Sequence, residues 1–146
     1  MPLHPKACVR IIAPMHPAAR HLSSADAVMA RLIREFGPCT VKPLPARSPF
    51  ESLVRAVAHQ QLNGTAANTI LKRFVRLFPS PRFPKPEDIA GVSDLAIRGA
   101  GFSRAKVASI RDIAEKTLAG VVPSSRKIAR LGDEEIIERL TEVRGV

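Results

Sequence analysis

Apolar residues recur at intervals of three and four positions along most of the chain, and this spacing predicts an all-α protein. The pattern is clearest in residues 50–58 and 65–78. One helical face of the first segment carries Phe50, Leu53, Val54, Val57 and Ala58. The stripe of the second comprises Ala66, Ala67, Ile70, Leu71, Phe74, Val75 and Phe78. Each stripe is typical of an amphipathic helix that buries one face.

Start and stop signals extend the prediction along the chain. Ser48-Pro49-Phe50-Glu51 predicts a capping box with proline at the first helical position. Ser103 is predicted to cap a helix that runs to Ala119, with Gly120 as its stop. A further helix is predicted within 21–36, with Ser23, Ser24 and Asp26 as candidate start signals. Others are 86–90, 94–98 and one that begins at Asp133, with a short turn near 125–129.

The remaining longer helices also carry apolar stripes that are predicted to face a core. The stripes comprise Val28, Met29, Leu32, Ile33 and Phe36; Val107, Ile110, Ile113, Ala114 and Leu118; and Ile136, Ile137, Leu140 and Val143. The run VRIIAP at 9–14 is a weak candidate for an edge strand. We therefore assign residues 1–20 to an N-terminal extension, either an edge strand or disordered, and residues 21–146 to one helical domain.

The charge balance directs the search for function towards polyanions. The chain has 23 Lys and Arg against 13 Asp and Glu, a net charge of +10 and a pI near 10.8. A domain with a pI above about 9 is a candidate for nucleic-acid binding. The same charge could also serve solubility alone. Nucleic acid is the hypothesis to be tested against the motifs.

Other function classes find little support in the sequence. Cys8 and Cys39 have no metal-binding spacing to each other or to a histidine, so we predict no metal site. No apolar run approaches the roughly 20 residues that span a bilayer, and the N-terminus lacks a signal-peptide pattern. We expect a cytoplasmic protein of bacterial type, associated with the nucleoid when it acts, and no membrane partner.

A polar loop interrupts the two clearest helices. Residues 59–64 contain the amides Gln60, Gln61 and Asn63. Amide side chains both donate and accept hydrogen bonds, so they suit the edges of bases in a groove. The alternative is an ordinary helix–helix turn with Asn63-Gly64 as its tight part. Both interpretations stay open on the residues alone.

The start of the helix after Gly99-Ala100-Gly101 offers a second candidate site. Ser103 precedes Arg104 and Lys106 at this N-terminus. Free backbone amides and two cations would together bind a phosphate. A capped surface helix explains the same residues equally well.

Three blocks of sequence together resemble a known family. They are PFESLVRAVAHQQLNGTAANTILKRF, GAGFSRAKVASIRDIAEKTLAG and LGDEEIIERLTEVRGV, preceded by the lead-in HLSSADAVMARLIREFGPC. In this order they resemble the DNA-3-methyladenine glycosylase II family of the helix–hairpin–helix DNA glycosylases. The resemblance covers roughly residue 18 to the end. It implies the N-terminal part of that all-α fold.

The resemblance also implies an activity. Members of that family flip alkylated purines such as 3-methyladenine out of duplex DNA and hydrolyse the N-glycosidic bond. An aspartate supports the cationic sugar while water attacks. The loop that matches Gln60, Gln61 and Asn63 supplies the wedge that fills the gap left by the flipped base. Double-stranded DNA with alkylated bases is the implied partner, with no obligate protein partner.

The end of the chain matches the first half of the family's hairpin. Gly145 corresponds to the first hairpin glycine, which makes Arg144 and Gly145 further phosphate-binding candidates. In the family, carbonyls of the complete hairpin often bind a monovalent cation, and no other cofactor is implied. The family's catalytic aspartate would lie beyond Val146, so no residue here is assigned to catalysis. We expect a chain truncated at the hairpin and inactive alone.

Three hypotheses therefore remain. The first is a base-excision repair glycosylase. The second is a non-catalytic DNA-binding module or remnant, which glycosidic-bond cleavage would distinguish from the first. The third is a basic protein-interaction domain, which would show no DNA binding at low salt.

Overall fold

The computed structural model describes residues 16–39 and 47–146, and every regular element within them is an α-helix. The helices are α1 Pro17–Ala25, α2 Ala27–Phe36, α3 Pro49–His59, α4 Gly64–Val75, α5 Pro86–Ala90, α6 Asp94–Gly99, α7 Arg104–Leu118, α8 Ser125–Ile128 and α9 Asp133–Thr141. The predicted all-α class is confirmed. The strand candidate at 9–14 and most of the Pro-rich connector before Ser48 lie outside the described residues.

The described residues fall into two compact units, 16–39 and 47–146. In the described part of the first unit, α1 packs against α2. The start signal predicted at Asp26 is confirmed for α2, but the residues before it form a separate helix, because Asp26 is extended (φ −145°, ψ 124°) and ends α1. Its carboxylate accepts a hydrogen bond from the Met29 amide at 2.7 Å, which makes it the N-cap of α2.

Part of the predicted stripe on α2 is exposed. Val28 is 58% and Phe36 77% accessible, whereas Ala30 is buried. The predicted stripe of α2 therefore does not become one buried face.

The second unit is built around α7. Helices α3, α5 and α6 pack on α7, and α4 packs on α3. All five residues of the predicted α3 stripe are buried, together with Phe74 of α4 and Ile110 and Ile113 of α7. Phe74 contacts Phe78 and Phe102 edge to face, with ring centroids 5.3 and 5.5 Å apart. Burial of these side chains supplies the main stabilisation of the unit.

Side-chain caps begin most of these helices, as their sequences indicate. Ser48 Oγ accepts from the Glu51 amide at 3.1 Å, and Ser103 Oγ accepts from the Lys106 amide at 3.3 Å. The Glu51 carboxylate bonds to Arg55 Nε at 2.7 Å, one turn further into α3. Ser48 therefore forms the N-cap half of the predicted capping box, while Glu51 joins an ion pair.

Two apolar residues that were predicted to be buried are exposed. Leu118 is 54% accessible because it lies in the last turn of α7, where the chain turns away through Gly120 at φ +79°. Ile137 is 56% accessible, whereas Leu140 and Val143 of the same predicted stripe are half-buried and buried. Both predictions were wrong because a stripe shows amphipathicity without showing how far the covering helices reach.

Arg111 fastens α5 and α6 to α7. Its guanidinium donates to the backbone carbonyls of Ile89 and Val92 and pairs with Asp94, 2.8 Å away. Ile89 lies in the last turn of α5 and Asp94 is the first residue of α6, so one side chain bonds both short helices. These helices are too short to be stable alone.

Candidate nucleic-acid interface

The loop between α3 and α4 is exposed and tightly turned. Gln60, Gln61 and Asn63 are all exposed, and the Leu62 amide donates to the His59 carbonyl at 3.2 Å. Gln61 has φ +57°, the one positive φ at a non-glycine residue among those the structure describes. Such a conformation is sparsely populated for a residue with a side chain and is often found at functional sites.

The three loop amides have different surroundings. Asn63 Oδ1 accepts from the Ala66 amide at 2.8 Å and caps α4. Gln60 Nε2 donates to the Gly145 carbonyl at 2.7 Å. Within the described residues, the side chain of Gln61 has no such hydrogen bond. Gln61 is therefore the amide that extends from the loop without a structural partner there.

Lys106 anchors the start of this loop. Its ammonium donates to the carbonyls of Ala58 at 3.0 Å and of Gln60 at 2.8 Å. These carbonyls lie at the C-terminal end of α3, where a positive charge is favourable. An ammonium has three N–H donors, so one remains after these two bonds.

Gly145 sits close against α7. Its φ is +83°, and a Cβ at this position would lie 2.7 Å from Ser109 Oγ. The next amide back along the chain, from Arg144, donates to Asp112 Oδ2 at 2.7 Å. Lys116 pairs with Asp112 at 3.5 Å and also donates to the Glu142 carbonyl. Two charged residues of α7 thus hold the turn after α9.

The structure brings four of the sequence candidates together on one surface, namely Gln60, Gln61, Ser103 and Lys106. A depression is lined by Gln60, Gln61, Ser103, Ala105 and Lys106. Through Gln60 the same loop reaches Gly145, so Arg144 and Gly145 belong to this surface as well. We call Gln60, Gln61, Asn63, Ser103, Arg104, Lys106, Arg144 and Gly145 the loop face. Arg104 and Arg144 are exposed on it.

Sequence patterns did not indicate the contacts that hold this face together. The bonds from Lys106 to α3 and from Gln60 to Gly145 join positions 46 and 85 residues apart. Asp112 also carries no motif of its own. The amide–cation composition of the face was visible in the sequence, whereas these pairings follow only from the packing of α3 on α7.

The face contains no described acid that could act on a substrate without first leaving a partner. Asp112 already accepts from the Arg144 amide and pairs with Lys116. Within residues 16–39 and 47–146, no group of three metal-ligating side chains is close enough to hold an ion. No described helix is long and apolar enough to cross a bilayer. The predicted hairpin cation and the predicted location stay predictions.

Comparison with known proteins places the chain in a family. Residues 54–145 match the family described as "HhH-GPD superfamily base excision DNA repair protein". The chain belongs to the HhH-GPD superfamily. The HhH-GPD match begins within α3 and includes α4–α9, and therefore the loop face and most of the core around α7.

Individual HhH-GPD relatives are similar over most of the chain. DNA-3-methyladenine glycosylase 1 of Schizosaccharomyces pombe is 38% identical over 137 residues, which is 93% of this chain and 60% of that protein. The alkylbase DNA glycosidase-like protein mag2 of the same organism is 34% identical, over 88% of this chain and 61% of its own length.

A solved structure has the same fold. It is that of S. pombe 3-methyladenine DNA glycosylase (Mag1) in complex with abasic DNA, with a TM-score of 0.74 and 39% identity. The match covers 90% of this chain and 64% of that one. The chain thus spans about three fifths of the length of these relatives.

Proposed function

We propose that this protein acts in base-excision repair as a DNA glycosylase that removes alkylated purines, of which 3-methyladenine is the type. The observation that carries the proposal is Gln61, exposed at φ +57° in a loop whose two ends are fastened. The relatives are named glycosylases of alkylated bases, and one was solved with abasic DNA. The names of these relatives and the abasic DNA complex support alkylated purines in DNA as the substrate.

The loop suits the physical demands of base flipping. Extruding a nucleotide leaves a gap in the stack, and closure of that gap opposes the flipped state. A side chain fills the gap at low cost only if its backbone is already fixed, because ordering a loop on binding loses affinity. Lys106 fixes Gln60 at one end, and the Asn63 cap fixes the other end to α4. We propose Gln61 as the residue that inserts.

The cations around the loop provide the sequence-independent part of binding. Arg104 and Arg144 are exposed, and one N–H of Lys106 remains after its two bonds to carbonyls. Three phosphate contacts imply a slope near −2.7 in log affinity against log salt, or a loss of roughly 40-fold between about 50 and 200 mM. Affinity that does not change with salt would contradict this assignment.

A second candidate, a DNA-binding module without catalysis, has its own supporting observation. Asp112, the acid that contacts the turn of the loop face, already accepts from the Arg144 amide and pairs with Lys116.

Base release from methylated duplex DNA separates the two candidates for this polypeptide. Chromatography of released purines after incubation with excess folded protein is the assay, with circular dichroism as the check on folding. Release of methylated purine above the protein-free control is the result that the glycosylase proposal predicts. Selective DNA binding without release is the result that the module predicts. Absence of both release and DNA binding at low salt would contradict the glycosylase proposal and the module alike.

A further inference from the structure

A groove runs along α4 away from the residues assigned above. It has a volume near 720 Å³, and its walls come from α3, α4 and residues 78–81. Lys72 and Arg76 of α4 form its exposed rim, and Val75 lies between them. Pro79 and Pro81 form the opposite, exposed wall. The groove shares no lining residue with the depression on the loop face.

The groove is strongly electropositive. No acid occurs between Glu51 and Glu87, whereas that segment contains six cations: Arg55, Lys72, Arg73, Arg76, Arg82 and Lys85. The described ion pairs engage only one of them, Arg55, which bonds to Glu51 and lies 5.0 Å from the Phe83 ring centroid. Lys72 and Arg76 are therefore available to an external anion.

The other wall of the groove disfavours a phosphate backbone as that anion. Phosphate sites in proteins use backbone N–H groups as well as cations. Pro79 and Pro81 have no N–H, and the Arg82 amide already donates to Ser80 Oγ at 3.2 Å. This wall offers apolar ring surface, which a sugar–phosphate chain cannot bury. Carboxylates combined with apolar side chains match both walls.

We propose that the groove binds an acidic peptide segment of a partner protein, with its carboxylates on Lys72 and Arg76 and an aliphatic side chain on Val75, Pro79 and Pro81. Apolar contact would supply most of the affinity, and charge complementarity the choice of partner and the association rate. This inference does not depend on the proposed function, because none of these residues belongs to the loop face.

Fluorescence anisotropy with three labelled probes tests the proposal that the groove binds an acidic peptide. One probe is a labelled peptide of aspartate and glutamate with two leucines. The second has serines in place of the leucines, and the third is an undamaged DNA duplex. Arg73→Glu is the matched control for Lys72→Glu and Arg76→Glu, because Arg73 is an exposed cation on the same helix that does not line the groove.

We expect the leucine peptide to bind about tenfold more tightly than the serine peptide, and each groove variant to weaken it about tenfold. Arg73→Glu should weaken it less than about threefold, and Gln61→Ala should leave it unchanged. Failure of the leucine peptide to bind, or equal binding of both peptides, would overturn the proposal. So would equal losses in the groove variants and Arg73→Glu. If these groove variants weaken only the duplex, the groove is a DNA-backbone site instead.

Discussion

Gln60 and Gly145 are 85 positions apart, and the Gln60 side-chain amide donates to the Gly145 carbonyl at 2.7 Å. This bond joins the loop before α4 to the turn after α9. Lys106 contributes a second bond to the same loop residue, at the Gln60 carbonyl. The loop face is therefore held by contacts between three elements that are distant in sequence.

Replacing Gln60 by glutamate tests the bond to Gly145. The carboxylate cannot donate, and two acceptors would then face each other. We expect roughly threefold to tenfold weaker binding to duplex DNA with an abasic analogue, because the loop must be ordered on binding. Amide hydrogen exchange should be faster in residues 61–63 and in Val146. Gln60→Lys restores a donor and is the matched control; no difference between the two variants would contradict the account.

Replacing Lys106 by methionine removes both bonds to the end of α3 while keeping an unbranched chain. Hydrogen bonds from charged groups contribute about 1.5–3 kcal/mol, so we expect a loss of about 1–2 kcal/mol for this partly exposed side chain. Urea unfolding measures this loss in the free energy of unfolding. Lys127→Met, at an exposed position, should change stability by less than about 0.5 kcal/mol. Similar losses in both variants would show that Lys106 has no anchoring role.

Gly145 is expected to tolerate no side chain. In Gly145→Ala, both φ +83° and the 2.7 Å approach to Ser109 Oγ are unfavourable. We expect destabilisation of about 1–3 kcal/mol. Adding Ser109→Ala, which removes Oγ and leaves a Cβ at an ordinary 3.6 Å, should recover the destabilisation due to the clash and leave the destabilisation due to φ. Gly99→Ala, which meets nothing within 4 Å in helix α6, should leave stability unchanged or raise it.

Arg111→Met should weaken the attachment of α5 and α6 to α7. It removes the donors of the Ile89 and Val92 carbonyls, which are partly buried, and a loss of about 2–3 kcal/mol follows from unsatisfied carbonyls. Arg139→Met removes only the surface pair with Glu135 and should cost less than about 1 kcal/mol. Equal unfolding midpoints for the two variants would contradict this difference.

Local signals in the sequence predicted the helices and most of the core. Ser48 and Ser103 cap the helices they were expected to cap, and the stripe of α3 is buried throughout. Asp26 was recognised as a start signal, but the extended backbone that ends α1 before it was not, because propensity changes little over those residues. Leu118 and Ile137 were misplaced because burial depends on neighbouring helices.

The sequence predicted which residue types form the candidate site, but not which of them are hydrogen-bonded within the fold. Amides in 60–63 and cations beside Ser103 were visible in the sequence. That Gln60 and Asn63 have structural bonds, leaving Gln61 at φ +57° without one in the described residues, depends on the fold. No residue preference indicates a left-handed glutamine. The sequence therefore could not indicate which of the three amides is free to insert, whereas the structure favours Gln61.

The affinity ratio between duplex DNA with a central abasic analogue and the intact duplex, measured for wild type and Gln61→Ala, tests the central claim most directly. We expect wild type to prefer the abasic duplex and Gln61→Ala to lose most of that preference, with intact-duplex affinity and urea stability unchanged. We expect Gln61→Ala to lower the affinity ratio between abasic and intact duplex by about tenfold. If Gln61→Ala keeps the wild-type ratio, or weakens both duplexes equally, the loop does not act as a wedge through Gln61.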